Sequence, residues 1–500
     1  MSNLPPGWTR TTLEDLLAVE DRAITDGPFG SKLASRHYTT SGARVIRLQN
    51  IGDCIFNDEH AYISLDYFEE LRAHEACAGD LVAASLGDEL PRACLIPELG
   101  KPAIVKADCI RVRIHPGVET KWVLYALTAP QTRQYAASRV RGIGRPRLGL
   151  GEMRRLPIPL PPLAEQRRIV TTLEGHLSRV GAGSVYLNQA SQYESQLRIA
   201  IYTAAVEGRL IASPQKEVPI AKRFDAERQN RWRKEHGDHK YKLPVEPDLK
   251  IGLSVPDSWH VVSLEAATDP VRLIQYGILM PRVKTNGSVP YVEVKDLAGE
   301  TLSGKNLHRT SRELDEEFSR SRLTKNDVVM AVRGSYERSA VVPDGLEGAN
   351  VSRDVVRIAP LSDLDPDYLH IYLQSAFSRR YFAHHARGVA VKGVNTASVR
   401  SLPVVIPALE VQHEIVREVR RCISAVNKIS TEISYARKRA SSLRKSLLAE
   451  AFAGRLVSQD PTDEPAAVLL ERIRAEQRAQ PQARRGRRTA KRTLQGETLL

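Results

Sequence analysis

The sequence repeats itself at a fixed distance. Shifting the chain by 246 positions, the difference between 402 and 156, aligns residues 156–211 with residues 402–457 without a gap. About 18 of the roughly 56 aligned positions are identical, which chance does not produce. Both segments begin with a proline-rich phrase, LPIPLPPLAEQRRIV and LPVVIPALEVQHEIV, and both close on Gly-Arg-Leu. The 500 residues therefore hold two diverged copies of one module.

The repeat continues upstream, where the two copies diverge more strongly. The Arg-Gly pair at Arg141 aligns with the pair at Arg387, and the PPGW start near Pro5 resembles PDSW near Pro256. Each copy consists of a globular part followed by a long repeated segment. Globular parts that differ while their helical segments stay alike are expected if the two parts bind different targets.

Both repeated segments have the pattern of long helices. Proline is confined to their first positions, where a helix tolerates it, and none occurs between residues 163 and 206. Gly208 and Gly454 stand where a helix places its C-terminal cap. Apolar residues recur at the three- and four-residue spacing of a coiled-coil seam. The predicted seam consists of Val170, Leu173, Leu177, Val180, Leu187, Val416, Val419, Ile423, Val426 and Ile433.

The length of these helices limits what they can do. A helix of about 45 residues extends about 65 Å and cannot bury an apolar stripe by itself. One interpretation makes each a core helix of a larger domain. The other pairs the two helices as a spacer, and their matching lengths and matching seams favour this pairing.

The globular parts carry mixed signals. β-like runs such as RVIRLQNI at Arg44 and DVVMAVRG at Asp327 alternate with helical patterns, so each copy fits a mixed α/β domain. We predict a first globular domain over residues 1–155 and a first long helix over 156–211. A linker with a short charged helix follows over 212–255, then a second globular domain over 256–401. The second long helix covers 402–457, and a short helix with a basic tail covers 458–500.

Composition narrows the class of protein. The formal net charge of +14 favours a polyanionic partner, most simply nucleic acid, although a merely soluble basic protein would have the same excess. No run of about 18 apolar residues and no signal-peptide pattern is present, so a cytoplasmic protein without a membrane partner is expected. The 5 cysteines lack paired spacing, which argues against a disulfide framework and a structural zinc site.

Glycine-rich basic loops end both globular parts, RVRGIGRPRLGLG at Arg139 and ARGVAVKGVN at Ala386. Glycine lets the backbone approach a ligand, while Arg and Lys neutralise phosphates; the alternative is a plain surface loop. Arg, Asn and Gln can read base edges. From these and other loops the DNA-binding candidates are Lys32, Arg36, Gln49, Arg92, Arg141, Arg145, Arg147, Arg282, Lys284, Arg333, Tyr336, Arg338, Lys392 and Asn395.

Motifs for catalysis are missing from the sequence. It has no G-x-x-x-x-G-K-[ST] phosphate loop, no glycine pattern opening a Rossmann unit, and no Asn-Pro-Pro-aromatic box of amino-methyltransferases. The triplet Glu293-Val294-Lys295 imitates a metal nuclease motif, but it lies in a β-like run without a suitably spaced acidic partner. The 13 histidines form no ligand cluster. We expect no catalytic residue and no bound metal in this chain.

In their order, these features resemble the specificity subunit of type I restriction-modification systems. The resemblance rests on the twice-written proline-rich phrase, the long helices closing on EGRL and AGRL, the PPGW and PDSW starts, and TDGPFGSKL followed by VIRLQNI. It covers nearly the whole chain. The second copy departs from the pattern, since it has Val411 in place of Glu165 and Ala408 in place of Pro162.

The resemblance implies an α+β fold in which two target-recognition domains, each reading half of a split DNA site, are joined by two long antiparallel helices. These helices form a coiled coil, and the copies are related as an internal pseudo-twofold repeat. The implied partners are double-stranded DNA, two modification subunits and two restriction subunits. The partners would use S-adenosylmethionine, ATP and Mg²⁺, while this chain binds no cofactor. The alternatives are a scaffold or adaptor without specific DNA binding, and a DNA enzyme with an unrecognised site.

Overall fold

The structure, a computed structural model, describes residues 4–141, 146–211, 219–252, 256–280, 287–297, 302–388 and 392–479. The chain divides into two compact units, the first formed by Met1–Tyr186 with Arg437–Leu500 and the second by Leu187–Ala436. The division cuts through both long helices. Each unit therefore holds one globular part together with portions of both helices, a grouping that differs from the domain boundaries predicted above.

The elements of the first copy follow the predicted mixture of strands and helices. The strands are β1 (Thr9–Thr12), β2 (Ile24–Asp26), β3 (Tyr38–Thr39), β4 (Ala43–Ile46), β5 (Tyr62–Ile63), β6 (Leu81–Ala84), β7 (Arg92–Leu95), β8 (Ala103–Val105), β9 (Cys109–Val112) and β10 (Pro157–Leu160). The helices are α1 (Leu65–Glu70), α2 (Thr120–Thr128), α3 (Pro130–Ala137), α4 (Leu150–Arg154), α5 (Leu163–Val206) and α6 (Ile220–His236).

The second copy repeats this order. Its strands are β11 (His260–Ser263), β12 (Gln275–Tyr276), β13 (Val289–Val292), β14 (His308–Thr310), β15 (Val328–Ala331), β16 (Ser339–Val341), β17 (Asn350–Val351), β18 (Val355–Ile358) and β19 (Pro403–Ile406). Its helices are α7 (Arg312–Glu317), α8 (Pro366–Gln374), α9 (Ala376–His385), α10 (Thr396–Arg400), α11 (Leu409–Phe452) and α12 (Ala466–Ala479).

The first unit is built around a sheet with the order β2-β9-β6-β7. Its inner strands β6 and β9 are buried along their whole length and belong to one apolar cluster. Strand β6 is apolar throughout, whereas β9 carries the buried Arg111, which donates to the carbonyl of Glu75 at 3.1 Å. A second sheet has the order β3-β5-β4-β8, with β4 and β8 parallel. The proline-rich phrase forms β10, which pairs with β1 so that Thr9 lies opposite Leu160.

The second unit has a main sheet of order β12-β18-β15-β16, which is the order of the first unit with each strand replaced by its repeat. The smaller sheet is β14-β13-β17, with β13 and β17 parallel. Strand β19 pairs with β11 as β10 does with β1. The repeat seen in the helical segments thus extends through the globular parts, where sequence identity is faint.

The long helices are confirmed, and so are their ends. Helices α5 and α11 each contain 44 residues. Gly208 and Gly454 adopt left-handed φ values of +70° and +67°, which residues with a β-carbon rarely adopt. In the first helix the N–H of Arg209 returns to the carbonyl of Ala204 at 2.8 Å, as in a Schellman motif. The repeated Gly-Arg-Leu is therefore a helix stop.

In the first unit the predicted seam residues face the core. Val170 and Leu173 of α5 are buried in the same apolar cluster as Leu448 and Ala451 of α11. Leu177 joins the edge of this cluster and Val180 is half-buried. The beginning of the first helix and the end of the second therefore share one core.

In the second unit the two helices run in opposite directions. Arg198 Nη2 of α5 donates to Asn427 Oδ1 of α11 at 2.7 Å. Tyr202, nearer the end of α5, lines one cavity with Val416 and Val419, nearer the start of α11. The predicted seam residues Val416, Val419, Ile423, Val426 and Ile433 are buried, whereas Leu187 is half-buried.

The short charged helix that follows each long helix packs on a globular part. This packing was not predicted from the sequence. Helix α12 packs on the first globular part, where Arg474 Nε donates to Asp15 at 3.1 Å. Helix α6 packs on the second, where Arg231 Nη1 donates to Asp269 at 2.8 Å and Arg228 is buried against the carbonyls of Glu265 and Thr268. Each short helix follows one copy and packs on the globular part of the other.

Two remaining features concern the cysteine thiols and the apolar character of the helices. None of the cysteines is disulfide-bonded; Cys94 and Cys109 are buried, whereas Cys77 is exposed. Among the residues that the structure describes, no helix combines the length and apolar character needed to cross a lipid bilayer.

Candidate nucleic-acid interface

In the first copy the two described arms of the basic loop pair as a hairpin beyond the end of the inner strand β6. Arg141 and Arg147 exchange two backbone hydrogen bonds of 3.0 and 2.9 Å. The N–H of Leu148 donates to the carbonyl of Ser85 at 2.8 Å, just beyond the end of β6. This pairing holds the loop as an extension of the sheet, because its backbone groups are satisfied by the adjoining strand.

The second copy builds the same hairpin. Arg387 and Gly393 exchange hydrogen bonds of 2.9 and 2.8 Å, and both lie 246 positions after their counterparts (387 − 141 and 393 − 147). The N–H of Val394 donates to the carbonyl of Val332, beyond the end of β15, at 2.8 Å. Both loops were predicted from the sequence, whereas their common backbone frame depends on hydrogen bonds between segments distant in sequence.

Arg147 is the centre of a charged cluster in the first unit. Its Nη2 lies 2.8 Å from Asp108 Oδ1 and 3.3 Å from Asp26 Oδ2, and its guanidinium lies 4.7 Å from the centre of the Phe29 ring. Burial raises the pKa of Asp26 to about 6, and the nearby Asp108 charge adds to this while Arg147 opposes it. Arg147 is thus held by carboxylates but remains partly open to solvent.

The other candidates of the first unit occupy several places. Arg92 lies at the start of β7, half-buried, and its Nε has no hydrogen-bond partner in the described structure. Lys32 and Arg36 are exposed on two tight turns that follow Phe29. Gln49 lies beside the other sheet, where its Nε2 donates to Glu59 at 2.7 Å.

In the second unit an open cleft of about 630 Å³ brings several candidates together. It is lined by Arg333, Arg387 and Asn395, together with Tyr276 and Leu279. Arg333 and Arg353 lie 3.6 and 3.8 Å from the same oxygen of Asp354. Lys392 is exposed on the hairpin, and its carbonyl accepts the N–H of Gly334. The cleft therefore has a cationic rim with one carboxylate inside it.

Some candidates have structural tasks. The Asn395 side chain accepts the N–H of Ser398 at 2.7 Å as the N-cap of α10. Tyr336 packs at the edge of the apolar core, and Arg338 donates to the carbonyl of Val294 at 3.4 Å. Three candidates, Arg145, Arg282 and Lys284, lie outside the described residues, as does the basic tail after residue 479.

The carboxylates that hold these arginines were not among the residues predicted from the sequence. Asp108 and Asp354 are 246 positions apart (354 − 108) and each contacts a loop arginine or its neighbour. A sequence signal for these two carboxylates was available, because Asp108 and Asp354 stand at the same repeat position. Each lies directly before a β-like run, in ADCIRV and RDVVRI. Phe29 and Leu279 were also overlooked, since a single apolar side chain in a loop carries no periodic signal.

The triplet Glu293-Val294-Lys295 has no nuclease-like surroundings. Strand β13 ends at Val292, so the triplet starts a 3₁₀ turn and does not lie within the strand as predicted. Glu293 contacts Lys295, and its carboxylate lies 2.9 Å from His308. In the part of the chain that the structure describes, no group of three or more His, Cys, Asp and Glu residues could hold a metal ion.

Comparison with known families finds one match in each copy. The type I restriction modification DNA specificity domain matches residues 99–180 and residues 280–435. The first region contains Arg141 and Asp108, and the second contains Arg387 and Asp354. Both hairpins therefore lie inside the matched regions.

Two curated relatives are similar to this chain. The type I restriction enzyme EcoBI specificity subunit of Escherichia coli is 30% identical over 331 residues, which cover 64% of this chain and 65% of that protein. The EcoKI specificity subunit of Escherichia coli strain K12 is 25% identical over 341 residues, covering 64% of each chain. The aligned part thus spans slightly less than two thirds of either relative.

A solved structure has the same fold. A chain from work described as the structural basis underlying complex assembly and conformational transition of the type I R-M system superposes with a TM-score of 0.56. The match covers 91% of this chain and 100% of that chain at 16% identity, a level at which the likeness concerns the fold alone. Together these comparisons confirm the resemblance and the fold class predicted from the sequence.

Proposed function

Because residues 99–180 and 280–435 match the type I restriction modification DNA specificity domain, we propose that this chain is the DNA sequence-specificity subunit of a type I restriction-modification complex. Each globular part reads one half of a bipartite DNA site. The long helices set the number of base pairs between the halves and dock two modification subunits.

One observation carries this proposal: the two units present the same hairpin beyond the end of the same inner strand, with different side chains around it. The first hairpin places Arg147 beside Asp26 and Phe29, and the second places Arg387 in a cleft with Arg333. A common backbone frame with different side chains is what two readers of unlike half-sites require. An arginine side chain on such a frame can donate hydrogen bonds to phosphates and to the edges of guanine bases.

The chemistry of the complex belongs to its other subunits. Two modification subunits methylate adenine with S-adenosylmethionine, and two restriction subunits consume ATP with Mg²⁺ and cut the DNA in the cytoplasm. The specificity subunit selects the site and contributes no reacting group. This division is supported by the curated relatives, which carry the name of specificity subunits.

The first test is genetic. Methyladenine is mapped across the genome of cells with and without this gene. We expect one split sequence to be methylated only in cells that have the gene. An identical map in both cells, with the partner subunits present, would leave the chain as an adaptor without DNA specificity.

The second test is biochemical. The chain bound to its modification partner is titrated with DNA carrying that split sequence at several salt concentrations. Arg147→Ala and Arg387→Ala should each weaken binding about tenfold and flatten the salt dependence, as expected for a lost phosphate or base contact. Arg472→Ala and Arg233→Ala, exposed arginines on the docked helices α12 and α6, serve as charge-matched controls and should bind as wild type.

A further inference from the structure

An exposed apolar side chain occupies the same place in both copies. In the main sheets Asp26 pairs with Ile110 and Tyr276 pairs with Val356, and these strand partners are 246 positions apart (356 − 110). Asp26 and Tyr276 therefore correspond, and three residues further on lie Phe29 and Leu279. Phe29 is 47% exposed and Leu279 is 55% exposed.

A glycine pins each of these segments against the neighbouring backbone. A β-carbon on Gly27 would lie 2.1 Å from the carbonyl carbon of Lys106, and one on Gly277 would lie 1.9 Å from the carbonyl oxygen of Val351. No side chain fits at such distances, so only glycine allows this close approach. The turn that presents Phe29 or Leu279 is thus held at a fixed position on its sheet.

The surroundings of both residues are polar and charged. Arg147 lies over the face of Phe29, and Asp26 and Asp108 hold that arginine. Leu279 lines the same cleft as Arg333, Arg353 and Asp354. A lone exposed apolar residue needs no explanation, but the same placement in two diverged copies, each time beside an arginine and a carboxylate, does.

The carboxylates indicate which part of DNA lies over these residues. Asp26, Asp108 and Asp354 would repel phosphates, so the surface around them suits the floor of a groove better than the sugar-phosphate backbone. In the major groove a carboxylate accepts from the amino group of cytosine, and an apolar side chain packs on the methyl group of thymine.

Resting on the proposed function, we propose that Phe29 and Leu279 each contact the 5-methyl group of a thymine, one in each half of the recognised site. In the first copy Arg147 positions Phe29 over the base edge. In the second copy Arg333 positions Leu279 in the same way. Phe29 and Leu279 are therefore specificity-determining contacts.

The test replaces single thymines by deoxyuridine, which removes only the methyl group. Binding of the complex with its modification partner is measured on the recognised sequence, with each thymine replaced in turn. We expect about a fourfold loss of affinity at one position in each half-site, the effect of one buried methyl group. Phe29→Ala should abolish the response in one half-site and Leu279→Ala in the other.

Matched controls are exposed apolar residues away from the hairpins. Val468→Ala on α12 and Leu243→Ala after α6 should keep the full response to deoxyuridine in both half-sites. The inference is overturned, while the proposed function stands, if deoxyuridine leaves the affinity of the wild-type complex unchanged at every thymine. The same holds if a half-site contains no thymine, or if both variants respond to deoxyuridine as the wild type does. A complex with no sequence preference would instead overturn the proposed function, and this inference with it.

Discussion

The side chain of Gln166 joins the first turn of α5 to the start of α2, because its Oε1 accepts the backbone N–H of Glu119 at 3.0 Å. Its Nε2 donates to the carbonyl of Pro161 at 2.8 Å, and the residue is fully buried. The glutamine thus ties three elements of the first unit together: the globular helix, the proline-rich strand end and the long helix.

Gln412 does the same in the second unit. Its Oε1 accepts the N–H of Asp365 at 2.8 Å, and its Nε2 donates to the carbonyls of Pro407 and Asp363 at 2.9 and 2.8 Å. The sequence motif Pro-x-Leu-x-x-Gln occurs twice, and in each copy it forms the same joint between strand and long helix. Proline ends the strand, leucine begins the helix, and glutamine satisfies the backbone groups left between them.

Gln412→Leu should lower the free energy of unfolding of the second unit by about 3 kcal/mol. Three buried backbone groups lose their partner, and each unsatisfied group costs about 1–3 kcal/mol without being fully additive. Thermal unfolding combined with hydrogen exchange in α8 measures the effect. Gln189→Leu at an exposed position of α5 is the control, and an equal effect of the two variants would contradict the joint.

Trp8→Phe should cost more than Trp259→Phe, although the two tryptophans are repeats of each other. Trp8 Nε1 donates to the buried Glu165 at 2.9 Å, whereas Trp259 Nε1 has no hydrogen-bond partner in the described structure. Both variants lose similar ring area, so the difference of about 1–3 kcal/mol reports the hydrogen bond to the buried carboxylate. Calorimetric unfolding of the two variants provides the comparison, and equal losses would refute it.

Glu165→Gln should become more stable than wild type as the pH rises. Burial raises the pKa of Glu165 above its ordinary value of 4.5, although the Trp8 hydrogen bond opposes this. The folded state therefore holds the proton more tightly, and the stability this gives is present at low pH and lost as pH rises through the folded pKa. Unfolding midpoints of the variant and the wild type at pH 4 and pH 8 check the sign.

Lengthening both long helices should lengthen the gap in the recognised sequence. Inserting one or two helical turns after Val180 and after Val426 adds 1.5 Å per residue against 3.4 Å per base pair, hence about one to three base pairs. Methyladenine mapping in cells carrying the variant gives the new gap. The same insertion after Gly237, at the end of α6, should leave the gap unchanged, and an unchanged gap in both variants would contradict the role of the helices.

Local patterns were predictable where neighbours in sequence decide the structure. The long helices and their glycine stops follow from spacing and proline placement and were confirmed, and the predicted seam residues of α11 are buried. The hairpins were predicted as basic loops, but their pairing with the ends of β6 and β15 depends on hydrogen bonds between distant segments. Asp26 and Asp108 were not predicted as partners of Arg147 because they lie far from it in sequence, although the repeat position of Asp108 carried a signal.

The sequence by itself determined that this protein is a duplicated module with two rod-like helices and two unlike globular parts, because repetition and periodicity are properties of the chain. Only the tertiary structure decided which segments belong together. Helix α6 follows the first copy in sequence but packs on the second globular part, where Arg231 contacts Asp269. Helix α12 follows the second copy but packs on the first globular part, where Arg474 contacts Asp15. Burial and ion pairing are settled by proximity in space, and the order of residues along a chain does not encode that proximity in any local pattern.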